Sequence, residues 1–410
     1  MPASLATVAV LLKEVYEPTM QKQLNDDTIA LKRVASSSSG IETTVGGRYV
    51  TFPIKTRRNS GIGARNEMEA LPVPGQQGNA AGRVGLKYLY GGVQLTGQTF
   101  ELANTNYQAF TSVLEQELSG LTTDLAKDQN RQVYGDGSGA VATCAAIGAN
   151  TNTFAMGVAP LVNYVQMDEQ IDIIAAANIA AGTPVLASNR KVTGINLATG
   201  IITFDGAVVT TGVGDIIVRT GNAQREWTGF AKIINNTNTL YNLDPNVEPV
   251  WKSEVDSAGT DAAPRALSEG LMINMTDRIR TNGGTTSAIF SNLGVRRAYY
   301  NLLVSQRQYV NTKEFTGGFS GLAFTTDAGD IPFVVDVDAP KQTQYFVNEK
   351  ELTLYRQGDW SWMNRDGSMW QRVITTSGNY DAYQALMFQY SEIGCHRRNT
   401  HGVIQHITEG

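Results

Sequence analysis

The stretch YQAFTSVLEQELSGLTTDLAKDQNRQVYGDGSG, residues 107–139, organises the rest of the chain. Tyr107, Phe110, Leu114, Leu118, Leu121 and Leu125 recur at spacings of three and four, which places an apolar stripe on one face of a helix. Asn104 or Thr105 can cap its start, and Gly135 stands where a helix stop is expected. The spacing predicts a helix over 105–133, roughly 40 Å long. Gly120 inside it costs about 1 kcal/mol relative to alanine and implies a close contact or a bend. The Tyr134-Gly-Asp-Gly-Ser-Gly139 run that follows is glycine-rich, but it leaves a helix rather than a strand. It therefore reads as a loop exit and not as a dinucleotide cradle.

Upstream of the helix the texture changes twice. Residues 1–40 form a polar arm with a short helix, ending in the flexible run Ser36–Gly40. Residues 41–103 read as extended chain: one strand over Arg48–Ile54, a return over Val84–Leu102, and a tip rich in glycine and proline between them. Such a hairpin has little capacity for a core of its own, so it is expected to rest on another subunit. Downstream, a helix is expected over 163–177, then an inserted β-rich subdomain over about 182–261 with a turn at Ala198–Gly200. Mixed texture then returns, with a helix over Ser268–Arg280, a strand over Thr286–Phe290 and a helix from Ser291-Asn292 to about Val304. Further strands follow at Ile331–Asp336, Gln344–Val347, Met369–Thr375 and Tyr383–Cys395. The fold class is therefore α+β.

Composition excludes several functions. The chain has 410 residues, 42% of them hydrophobic, enough for a large core. Only 17% are charged, below the ~25% usual in soluble domains. The net charge is −5, which disfavours a general polyanion binder. Cys144 and Cys395 are too few for a disulfide framework and read as reduced thiols. His396, His401 and His406 are spaced by five, which gathers neither a metal nor a catalytic cluster. No Gly-Lys-Ser/Thr phosphate loop and no Gly-x-Ser-x-Gly elbow occurs. No enzyme, cofactor, metal site or membrane span is expected, the longest nearly apolar run being Ile171–Ala181.

The order of parts ends in Ile331-Pro-Phe-Val-Val-Asp-Val-Asp-Ala-Pro340 after arm, glycine-rich loop, long helix, Tyr-Gly-Asp-Gly-Ser-Gly and β insertion. That order resembles the tailed-bacteriophage major capsid proteins of the Hong Kong 97 fold. The resemblance implies an N-terminal arm (1–40), an extended loop (41–103) and a peripheral domain made of the spine helix (104–135) and 360–410. It also implies an axial domain (136–359) that carries the insertion. It implies assembly of hexamers and pentamers into an icosahedral shell that encloses double-stranded DNA without sequence-specific binding. Partners implied are further copies of the chain, a portal, a decoration protein and a scaffolding protein. The last is expected to be separately encoded, since no helical predomain precedes the arm, and such shells expand after assembly. The family's Lys–Asn cross-link is not expected, because Ile62–Gly82 holds no lysine. Two other readings stay open: an encapsulin-like compartment, which shares the fold, and a β-rich adhesin or carbohydrate-binding protein.

Charge suggests where subunits meet. Within 41–100, Arg48, Lys55, Arg57, Arg58, Arg65, Arg83 and Lys87 face only Glu42, Glu67 and Glu69. Within 101–136, Glu101, Glu115, Glu117, Asp124, Asp128 and Asp136 face only Lys127 and Arg131. The basic loop is expected to dock on the acidic spine helix of a neighbour.

Overall fold

The computed structural model describes residues 27–35, 41–43, 49–98, 107–146, 148–156, 164–184, 186–196, 199–306, 323–326, 329–364, 367–375 and 378–410. Most of the expected arm lies outside them; within it, helix α1 runs over Ile29–Ala35. Strand β1 (Ile41–Thr43) follows, then β2 (Tyr49–Arg57) and β3 (Gly78–Gly85), paired antiparallel as the expected hairpin. Strand β4 (Lys87–Thr96) leads towards helix α2, Tyr107–Tyr134, which ends one residue beyond the expected stop.

The hairpin does not lack support from its own chain. Phe52 and Val84 lie in the central core, and Phe52 meets Tyr241, Trp251 and His396 edge-on or tilted. Gly82 is required beneath the Phe52 ring, because a Cβ there would come within 2.6 Å of it. The sequence reading missed this because the partners of Phe52 lie almost 200 residues or more away. Only the tip, residues 58–77, projects without a core.

The next strands, β5 (Ala140–Thr143), β6 (Gly148–Thr151), β7 (Thr153–Ala155), β8 (Gln170–Ile174), β9 (Ala187–Asn196), β10 (Ile201–Phe204), β11 (Val209–Thr211) and β12 (Ile216–Arg219), make a β-subdomain. Six of them form one sheet in the order β5-β12-β8-β9-β10-β7, and β6 pairs with β11. The helix expected over 163–177 is replaced within the described residues by β8 and a short 3₁₀ turn. Ile171, Ile173 and Ile174 are buried in that sheet, where pairing with β9 and β12 outweighs the helix-like spacing. The subdomain thus begins at 140 rather than at about 182. It also ends near 219, since Trp227, Phe230, Leu240 and Trp251 all join the central core.

The chain continues with α3 (Phe230–Ile233), β13 (Glu254–Asp256), α4 (Glu269–Thr281), β14 (Ala288–Ser291), α5 (Leu293–Gln306), β15 (Ala323–Thr326), β16 (Gly329–Val335) and β17 (Gln344–Val347). Then come β18 (Leu352–Arg356), β19 (Ser361–Trp362), β20 (Trp370–Thr375), β21 (Gly378–Cys395) and β22 (Gly402–Ile404). Ser268 caps α4 by accepting from the Leu271 amide, and Asn292 does the same for α5 at Val295. One mixed sheet runs β13-β22-β17-β14-β16-β15. A second is built around the 18-residue β21, which pairs with β18, β19, β20 and β4. That second sheet lies on α2: Leu121 and Leu125 cover Gly91 of β4. The final strand β22 returns to the mixed sheet, so the region expected as one unit over 360–410 is shared between two sheets.

Candidate assembly surfaces

The hairpin tip is braced by its own polar groups. Arg65 donates to the Ala64 and Ala70 carbonyls, Asn66 donates to Glu69 through both its backbone and side chain, and the Gly61 amide donates to Asn59. Gly61 and Gly75 approach so closely that a Cβ on Gly61 would fall 2.6 Å from the Gly75 nitrogen. The apolar side chains point outward: Ile62 is 85% exposed, Met68 100%, Leu71 84% and Val73 84%. Four large apolar side chains thus face water within one short braced loop.

The charged residues named from the sequence fall into three groups. Lys55, Arg57, Arg58 and Arg83 are exposed on the hairpin, and Glu117 and Asp124 are exposed on α2. Arg65 is exposed but bound to the tip backbone, and Lys87 donates to the Gln224 carbonyl at 2.9 Å. Arg48, Glu101 and the Glu115 side chain lie outside the described residues. Asp128 is taken up within its own subunit. It accepts from Arg131 at 3.1 Å, Arg219 at 2.6 Å and Gln132 at 2.7 Å. Burial alone would raise its pKa, but the two guanidiniums outweigh burial and hold the carboxyl down to about 2.

Asp128 belongs to an ion cluster that joins α2 to the β-subdomain. Arg131, 5% exposed, also donates to Glu226 at 2.6 Å, and Arg219 of β12 donates to Glu169 at 2.6 Å. Burial works against the Arg131 charge; Asp128 and Glu226 more than compensate and raise its pKa. A second cluster gathers at the Asp-Val-Asp-Ala-Pro segment. Asp336 accepts from the Ala30 amide at 3.0 Å, the Asn130 side chain at 3.1 Å, the Tyr134 hydroxyl at 3.2 Å and the Asp338 amide at 2.9 Å. Asp338 accepts from Lys127 at 2.8 Å, from Asn130 at 2.5 Å and from the Tyr164 hydroxyl. Asn130 completes the junction by accepting the Leu31 amide. Arm helix, spine helix and mixed sheet therefore meet at one buried polar point.

The clusters and the apolar tip were not singled out from the sequence. The available signals were two aspartates at alternate positions just after an apolar strand, and apolar residues without period inside a glycine-rich loop. Among the described residues no group of three or more His, Cys, Asp or Glu is arranged to hold a metal. No helix among them is long and apolar enough to cross a membrane.

Residues 208–408, just under half of the chain, match the family model described as SU10 major capsid protein. No curated protein matches the chain. The fold is similar to the cyanophage A-1(L) capsid asymmetric unit, at 14% identity, with 99% of this chain and 100% of that one covered and a TM-score of 0.60. It is also similar to the capsid of the native GTA particle, at 8% identity over 99% of each chain, with a TM-score of 0.51. Over 208–408 the chain is thus similar to the SU10 major capsid protein family, and along its whole length it has the fold of phage capsid proteins, the Hong Kong 97 fold.

Proposed function

We propose that copies of this chain form pentamers and hexamers that close an icosahedral shell around double-stranded DNA, and that it catalyses no reaction. The SU10 capsid match on a capsid-fold chain carries this reading. The sheet on α2 then serves as the peripheral domain and the mixed sheet as the axial one. Further copies are the first partner; scaffolding, portal and decoration proteins follow from the family resemblance, as does assembly in the host cytoplasm. Electron microscopy of the purified full-length chain, with and without coexpressed neighbouring phage proteins, tests it: rings or shells are expected. A chain that stays monomeric in both settings overturns it.

Loop docking on a neighbour combines two unequal forces. Each exposed charge pair is worth about 0.2–1 kcal/mol and is screened over ~10 Å at 0.1 M salt. Burying one large apolar side chain is worth about 1.5–3 kcal/mol. Ile62, Met68, Leu71 and Val73 therefore supply affinity, while Lys55, Arg57, Arg58 and Arg83 opposite Glu117 and Asp124 set register. Changing the four apolar residues to serine is expected to abolish assembly while circular dichroism shows an unchanged fold. Reversing Arg57 and Arg58 to glutamate is expected to slow assembly, and reversing Glu115 and Glu117 to lysine alongside should restore part of the rate. Serine variants that assemble at the normal concentration would remove the tip from the interface. The contacts are non-covalent in this reading, because the tip holds no lysine and Lys87 is occupied by Gln224.

A further inference from the structure

After β12 the chain crosses between two parts of the fold in four residues, Glu226-Trp-Thr-Gly229. This strap is bonded on both sides. Towards the spine helix, Glu226 takes Arg131, and the Trp227 amide donates to the Gln132 side chain at 3.1 Å. Gly229 is wedged so tightly against the end of α2 that a Cβ would lie 2.3 Å from the Gln132 carbonyl oxygen and 2.4 Å from that of Val133. On the other side, the strap is held by one residue of β21, Glu392. Its carboxylate accepts the Thr228 amide at 2.7 Å and the Ile393 amide at 3.1 Å, with the Thr228 hydroxyl 3.4 Å from its second oxygen.

Glu392 is 2% exposed, and none of these partners is a cation. The titratable groups around it are otherwise engaged. Lys87 of β4 gives its ammonium to Gln224. The Tyr241 hydroxyl donates to the Ile393 carbonyl. Tyr355, opposite Glu392 in the β18–β21 register, bonds His396. Cys395 contacts His401, and Arg398 is spent on the carbonyls of Lys232, Ile233 and Asn238.

We propose that Glu392 is a proton-operated clasp between the 226–229 strap and the long strand β21. In the protonated state, one carboxyl oxygen keeps both amide donors while the other gives its hydrogen to the Thr228 hydroxyl, so nothing charged is buried. When the proton leaves to solvent, a carboxylate remains in a dry site with no cation bonded to it, and parting of strap and strand lets water reach it. Burial, opposed only in part by the Thr228 amide and the Lys87 charge, pushes the carboxyl up to about 7. A raised carboxyl contributes stability that is fully present below the ordinary value of 4.5 and is lost as pH rises through about 7. The clasp is thus tightest in acid and loosens as pH rises towards about 7. Because strap and strand link the spine helix, the β-subdomain and the sheet on α2, loosening changes how freely these parts move against each other.

Hydrogen exchange on the full-length chain at pH 5 to 8, corrected for intrinsic rates, tests the clasp. Peptides covering 226–230 are expected to lose protection by about tenfold per pH unit between about 5 and 7 and to level off above 7, while α4 stays protected throughout. Glu392→Gln mimics the protonated state and should make strap protection independent of pH. Flat protection in the native chain, or the same slope in Glu392→Gln, overturns the proposal. Thr228→Val covers the case in which the glutamine variant fails to fold. Losing the hydroxyl that donates to the carboxylate should move the transition to higher pH, and an unmoved transition overturns the proposal too.

Discussion

Replacing Asp336 by alanine is expected to destabilise the folded chain by about 3–5 kcal/mol. The carboxylate satisfies the Ala30 amide, the Tyr134 hydroxyl and the Asp338 amide in a fully buried position, and shares the Asn130 side chain with Asp338. Each buried donor left without a partner costs ~1–3 kcal/mol, and three are stranded together. Whole domains are stable by only about 5–15 kcal/mol, so the variant should unfold well below the native temperature. Asp336→Asn, which keeps an acceptor oxygen, should fall between the two. Urea unfolding of the three proteins measures the series. A loss under about 1 kcal/mol for alanine would mean that the arm helix is held by something other than this junction.

Arg131→Met is expected to have an effect of similar size for a different reason. The substitution keeps the volume but leaves Glu226 buried without its guanidinium, and Asp128 with only Arg219. Removing one partner from a buried ion pair typically costs 3–5 kcal/mol, because the surviving charge stays in a poorly solvated place. Adding Glu226→Gln removes that stranded charge, so the double variant should recover much of the loss. If the two substitutions add instead, the pair is not coupled, and the strap is seated by Trp227 and Gly229 packing alone.

Much of the architecture was legible because it rests on local pattern. The three–four spacing from Tyr107 to Leu125 marks α2 almost to the residue, and Ser268 and Asn292 announce α4 and α5 through their capping side chains. Residues 163–177 were misread because Ile171, Ile173 and Ile174 fit a helix face as well as a fully buried strand, and a short apolar run cannot tell them apart. The loop charges were visible as a count, yet their worth was not: Asp128 is consumed by Arg131 and Arg219 at home, while the tip also exposes four large apolar side chains.

The sequence by itself determined the long helix α2, the β2–β3 hairpin and its glycine-rich tip, and the order of parts that resembles a shell protein, since these depend on neighbours a few residues apart. Tertiary structure alone decided which polar residues work together. Asp336 meets Ala30 across 306 positions, Glu226 meets Arg131 across 95, and Glu392 meets Thr228 across 164. No local period encodes such pairs. A buried carboxylate acquires its role from whatever donors the folded chain brings to it, and from the water that folding takes away.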